Sequence, residues 1–241
     1  MSDLEHGHSK KEIIERFAKA PAQSYLRDWI YGGIDGAVTT FAIVSGVVGG
    51  QLSSLVILIL GFANLLADGF SMAASNYLGT KSEQEQYQRY KAIEEKHIER
   101  KPEGEKKEIR QIFQNKGLTG EALEIVVDEI TANRALWIST MLQEEYGLPI
   151  SIRSPYKSAL YTFLAFLCFG FIPLLPYVFN FTDTFYWSCF FTGMTFFIIG
   201  SIKSQWSPKS WFGSGLETLI VGLITAVLAY VIGLLLHFYL V

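Results

Sequence analysis

Charge is missing from two long stretches of this chain, and that gap limits what it can fold into. Residues 29–79 carry two ionised groups, Asp35 and Asp68, and residues 158–241 carry four, Asp183, Lys203, Lys209 and Glu217. Nearly all other charge lies in 1–28 and 80–157. A soluble globule made of such halves would expose apolar patches much larger than soluble surfaces carry. Half of the 241 residues are hydrophobic and 18% are charged, against about 25% charged in soluble domains. A disordered chain, a coiled coil and a disulfide-rich module are excluded on the same grounds. The two cysteines, Cys168 and Cys189, lie in apolar runs and imply no disulfide framework. A net charge of −3 argues against a nucleic-acid partner. The N-terminal MSDLEHGHSKKEIIERF has no apolar core beside its basic residues, so it does not read as a cleavable signal peptide.

A bilayer core takes about 20 mostly apolar residues per helix. Five segments qualify: 29–50, 54–79, 158–179, 184–203 and 212–240. The expected fold is therefore all-α and integral to a membrane, with five transmembrane helices. Residues 80–157 form a three-helix insert between the second and third spans. PLLPY at 173–177 and QWSPKS at 205–210 punctuate the later spans. All twenty Lys and Arg lie in 1–28, in 80–157 or in the turn after the fourth span. With five spans, these three regions share one face of the membrane. The positive-inside rule makes that face cytosolic, with the C-terminus on the other side. Within 1–28, Ile13, Ile14, Phe17 and Ala18 form one side of an amphipathic surface helix, flanked by Lys10, Lys11, Glu12, Glu15, Arg16 and Lys19. His6 and His8 precede it and read as a mobile tail.

Asp35 and Asp68 sit well inside spans that contain no Lys, Arg or His. A carboxylate at the centre of a bilayer costs about 2.5–3.5 kcal/mol even on insertion scales. Each acid must therefore face a polar cavity, take up a proton or meet a cation. Asn64, Asp68 and Met72 step by four along one helix face, and Asp35 with Thr39 repeats that step on the first span. An amide oxygen, a carboxylate and a thioether together suit a transition metal better than calcium or magnesium, which favour oxygen alone. Gly32 with Gly36, and Gly46 with Gly50, have the small-residue spacing of close helix contacts. That spacing suits a narrow pathway or a homodimer seam on the first span.

The insert holds thirteen basic and fourteen acidic residues. Its first helix continues from the second span and stops before Pro102. The second runs from Glu103 to Asn115, with Gly117 just past its end. The third starts behind Thr119 as N-cap and runs to Tyr146. Apolar stripes (Ile109, Ile112 and Phe113; then Leu123, Val126, Val127, Ile130, Leu136 and Ile138) give a small bundle a core. Acids recur at helical spacing: Glu94 with His97, Glu105 with Glu108, and Met141 with Glu144 and Glu145. A solvated charged helix looks similar. Glu-x-x-His is, however, also the element that di-iron bundles use.

DGAVTTFAIVSGVVGG at 35–50 and ANLLADGFSMAASNYL at 63–78 closely resemble the vacuolar iron transporter family. The resemblance extends through KPEGEKKEIRQIFQNKGL at 101–118 and ALWISTMLQEEYGLP at 135–149, and more loosely through the last spans. It implies a homodimer of five-helix subunits that moves ferrous iron out of the cytosol against protons. No resident cofactor is implied, the metal being cargo. Translocation residues would fall on Asp35 and Met72, with Asn64, Asp68 and Asp28 nearby. Ligands of the insert would fall on Glu94, Glu105, Glu108, Met141 and Glu145. His97 stands where a glutamate is expected, and Leu142 where a second methionine is common. The resemblance is compatible with a vacuolar membrane or a prokaryotic cytoplasmic membrane. Other divalent cargoes, Mn(II) first, share the ligand set. A rival reading makes the insert a ferritin-like Fe(II) oxidase that the spans merely anchor.

Overall fold

The computed structural model describes residues 7–18, 23–149 and 153–240. Among them all regular structure is helical, in ten α-helices joined by short turns. Two compact units divide the chain, one of Tyr25–Thr80 with Ser154–Val241 and one of Met1–Ser24 with Lys81–Arg153.

The first unit contains the apolar helices α2 (Leu26–Gly49), the start of α3 (Ser54–Arg100), α7 (Pro155–Phe171), α9 (Thr184–Lys203) and α10 (Trp211–Leu240). Among the described residues five helices are long and apolar enough to cross a membrane, as the charge-poor runs require. PLLPY breaks the third span: a 3-10 turn at Ile172–Leu174 and a short α8 (Leu175–Val178) follow α7. A second 3-10 turn, Ser204–Trp206, ends the fourth.

Helix α2 packs against α7, α9 and α10. Its small residues make this possible. A methyl on Gly32 would stand 2.4 Å from the Thr162 carbonyl oxygen, and one on Gly36 would stand 2.4 Å from that of Phe166. The end of α2 meets α10 in the same way, since a methyl on Gly233 would lie 2.1 Å from the Gly46 oxygen. Both glycine pairs expected to line a pathway or subunit seam are thus used inside the protomer, against α7 and α10. Spacing announces a close approach but not the partner. Some hydroxyls in the spans find acceptors one turn back, because hydrocarbon offers none. Thr162 donates to the Ser158 carbonyl at 2.9 Å and Thr195 to that of Phe191 at 2.8 Å, each one turn back.

The second unit holds α1 (Lys10–Ala18), the end of α3, α4 (Pro102–Asn115), α5 (Gly120–Ala132) and α6 (Arg134–Glu144). Pro102 occupies the first turn of α4, where its missing N–H costs nothing. Gly117, at φ +94°, turns the chain after α4 as its position in the sequence foretold. Thr119 stands at the N-cap of α5 without a side-chain cap bond. The single helix expected from Thr119 to Tyr146 is in fact two. Asn133, extended at φ −110° and ψ 103°, ends α5 and caps α6 by accepting from the N–H groups of Ala135 and Leu136 at 3.1 and 3.2 Å. An asparagine that satisfies two orphan donors outweighs a continuous apolar stripe. The core joins Ile98, Ile109, Leu123, Val127, Trp137, Met141 and Leu142. Each such side chain contributes about 1.5–3 kcal/mol on burial. On α1, Ile14 and Phe17 are exposed. Lys19 and His6 lie outside the described residues.

Candidate metal sites

In the spans, Asp35 is half-buried on α2 and Asp68 is exposed on α3. The two carboxylates are within electrostatic reach of each other. Among the described residues, neither accepts a hydrogen bond or pairs with a cation. They are not sealed against backbone donors, and no charge on their own spans offsets them. One turn beyond Asp35, Thr39 accepts from the Asn64 amide at 3.1 Å, and Thr40 does so at 3.4 Å. Asn64 therefore tethers α3 to α2, while its amide oxygen stays free of this contact. Met72 is half-buried against the apolar core of the spans.

Asp28 lies apart from that pair, 2% exposed. Its Oδ1 accepts from Nδ2 of Asn76 at 2.8 Å. Asn76 also donates to the Thr162 hydroxyl oxygen at 2.7 Å and so ties α2, α3 and α7 together. Sequence reasoning missed Asn76, although the signal was present. The four-residue step Asn64, Asp68, Met72 continues to position 76.

The other unit gathers Glu94 and His97 from α3 with Glu105 from α4. Donor atoms of these three lie within 4.8 Å of one another. His97 Nδ1 is 3.4 Å from Glu105 Oε1. Glu94 and Glu105 are 1% and 4% exposed, whereas half of the His97 side chain meets solvent. Oε2 of Glu94 and Oε2 of Glu105 are buried without a hydrogen-bond partner. Burial, and then the charges of Glu108, Glu94 and Glu145, push the Glu105 carboxyl up to about 7. Burial, Glu94 and Glu108 raise the Glu145 carboxyl as well. Both Glu108 and Glu145 therefore act on this cluster. Two buried carboxylates with an imidazole beside them, and two further acids within electrostatic reach, are a donor set that could hold a divalent cation.

Glu144 is directed elsewhere and forms an ion pair with Lys116. Met141 is fully buried in the apolar core. Its neighbours there include Ile98 and Ile109, which follow Glu94 and Glu105 by one turn, so the cluster caps one end of that core. No spacing or motif flags Tyr146, whose hydroxyl donates to Glu94 Oε1 at 2.9 Å.

The family model described as the VIT family matches residues 26–234. A vacuolar iron transporter of Plasmodium berghei (strain Anka) is 31% identical over 243 residues, covering 95% of this chain and 89% of its own length. Vacuolar iron transporter 1 of Arabidopsis thaliana is 32% identical over 213 residues, covering 87% and 85%. Vacuolar iron transporter 1 of Oryza sativa subsp. japonica is 33% identical over 234 residues, covering 95% and 92%. The matched region takes in all five apolar helices and the carboxylate cluster between the second and third, and on that extent the chain belongs to the VIT family.

Proposed function

We propose that this protein carries divalent transition-metal ions, ferrous iron foremost and Mn(II) as a further cargo, out of the cytosol in exchange for protons. The observation that carries this reading is the pair Asp35 and Asp68, within electrostatic reach of each other and engaged by no donor or cation among the described residues. An acid so placed in a lipid-embedded helix is a site for an ion or a proton. The relatives' shared name, vacuolar iron transporter, points to iron as the ion. Met72 and Asn64 add a soft sulfur and an amide oxygen, with Thr39 and Asp28 nearby. Protonation of the carboxylates cancels the ligand charge and releases the metal, so one set of groups serves both ions in turn.

In this reading 80–157 is a cytosolic domain that concentrates the metal on Glu94, His97, Glu105, Glu108, Glu145 and Met141. Asp68 also supports a homodimer. Exposed on a helix whose surface is mostly apolar, it gains a polar setting when a second copy covers it.

His97 beside Glu94 and Glu105 favours a second reading, an Fe(II) oxidase anchored by the spans. Reconstituted vesicles separate the two. Under an imposed pH gradient, transport predicts Fe(II) uptake that collapses when the gradient is dissipated. Oxygen consumption without uptake would replace transport with oxidation.

A further inference from the structure

Four carboxylates held together repel one another, and Glu94, the most buried of them, sits at 1% exposure. A lysine or arginine beside it would relieve the repulsion but would also occupy the place of a divalent cation. Glu94 accepts at Oε1 instead from a neutral phenol, the Tyr146 hydroxyl, at 2.9 Å, with Glu145 also beside that hydroxyl. The other oxygen, Oε2, is buried and has no partner. The phenol therefore satisfies one oxygen and leaves the second without a hydrogen bond. Its own placement is fixed. Tyr146 follows the end of α6, ahead of Gly147 at φ +65°, and its ring lies 4.4 Å from that of Tyr90 on α3.

We propose that Tyr146 is a positioning residue of the metal cluster, a neutral donor that fixes Glu94 so that Oε2 is the oxygen presented to the metal. The proposal rests on the metal-binding reading of the cluster given above. It adds a residue that never touches the ion. A hydrogen bond from outside the ligand shell orients a ligating carboxylate without competing with the cation for it, and loss of such a partner costs about ten- to a hundredfold in metal affinity.

The test is Co(II) titration of the full-length protein in detergent, followed by calorimetry and by the visible absorption of bound Co(II). Tyr146→Phe keeps the ring and its stacking on Tyr90 and removes only the hydroxyl. The expected result is affinity about ten- to a hundredfold weaker, a changed Co(II) spectrum and a melting temperature close to that of the unaltered protein. In a Glu94→Gln background the same change should have no further effect, because Tyr146 acts through Glu94. Unaltered affinity in Tyr146→Phe overturns the proposal. So does an equal further loss on top of Glu94→Gln, or a fall in melting temperature that accounts for the lost affinity. If the unaltered protein takes up no Co(II), the metal-binding reading fails and this inference with it. Binding in the unaltered protein with no effect of Tyr146→Phe removes this inference alone.

Discussion

His97 Nδ1 stands 3.4 Å from Oε1 of Glu105, an imidazole at the solvent edge against a carboxylate that is almost wholly buried. This contact joins α3 to α4 and places a nitrogen donor among the carboxylates. Imidazole suits Fe(II), Zn(II) and Co(II), whereas magnesium and calcium favour oxygen alone. His97→Glu should therefore shift the cluster toward Mn(II) and Ca(II) relative to Co(II) and Zn(II). Competition titrations of the two proteins measure this, and an unchanged preference order would place His97 outside the ligand set.

Metal binding here should depend on pH in a definite direction. Burial and neighbouring acids push Glu105 up to about 7, above the ordinary carboxylate value, so the folded metal-free protein holds a proton that the unfolded chain has lost. Stability without metal should fall as pH rises from about 4.3 toward 7. Metal must displace that proton, so apparent affinity should climb through the same window and level off above it. Glu105→Gln should shrink this slope in the melting curves, Glu145 supplying the remainder, and weaken binding. A slope unaffected by the substitution would assign the proton to another group.

Met141 separates packing from ligation. It is fully buried among Ile98, Ile109 and Leu142. Met141→Leu conserves volume and should cost less than about 1.5 kcal/mol in stability. Loss of the thioether should lower affinity for Fe(II) more than for Mn(II), since sulfur favours the softer ion. Equal affinities in the two proteins would leave Met141 as a core residue only.

Gly36 tests the packing of α2 on α7. A methyl there would stand 2.4 Å from the Phe166 carbonyl oxygen and 2.9 Å from its Cα, both backbone atoms that cannot rotate away. Gly36→Ala should force the helices apart at a cost of about 1–3 kcal/mol. Thermal melting in detergent reads this as a lower midpoint, and an unchanged midpoint would mean the contact is slack.

The spans were legible in the sequence because lipid imposes a strict rule: about twenty apolar residues with almost no charge leave few alternatives. The meeting of Glu94, His97 and Glu105 was legible in part for a similar reason, since Glu94 with His97 and Glu105 with Glu108 share helix faces whatever the tertiary fold. What lay beyond reach depended on partners distant in sequence. Gly32 and Gly36 announced a close contact, but α7 as the neighbour is a tertiary fact. Asn133 stands in an apolar pattern that continues across it, so only its cap bonds reveal the break between α5 and α6. Glu144 and Glu145 are adjacent in sequence, yet one pairs with Lys116 and the other acts on the cluster. Tyr146 carries no motif and shows its role only where its hydroxyl meets Glu94.

Asp35 carries the central claim. Asp35→Asn keeps the shape of the side chain and removes its charge. Fe(II) uptake by reconstituted vesicles under an imposed pH gradient should fall to the level of empty vesicles in this variant, with its melting temperature and oligomeric state kept. Uptake at the unaltered rate would show that the ion crosses without this carboxylate and would contradict the account.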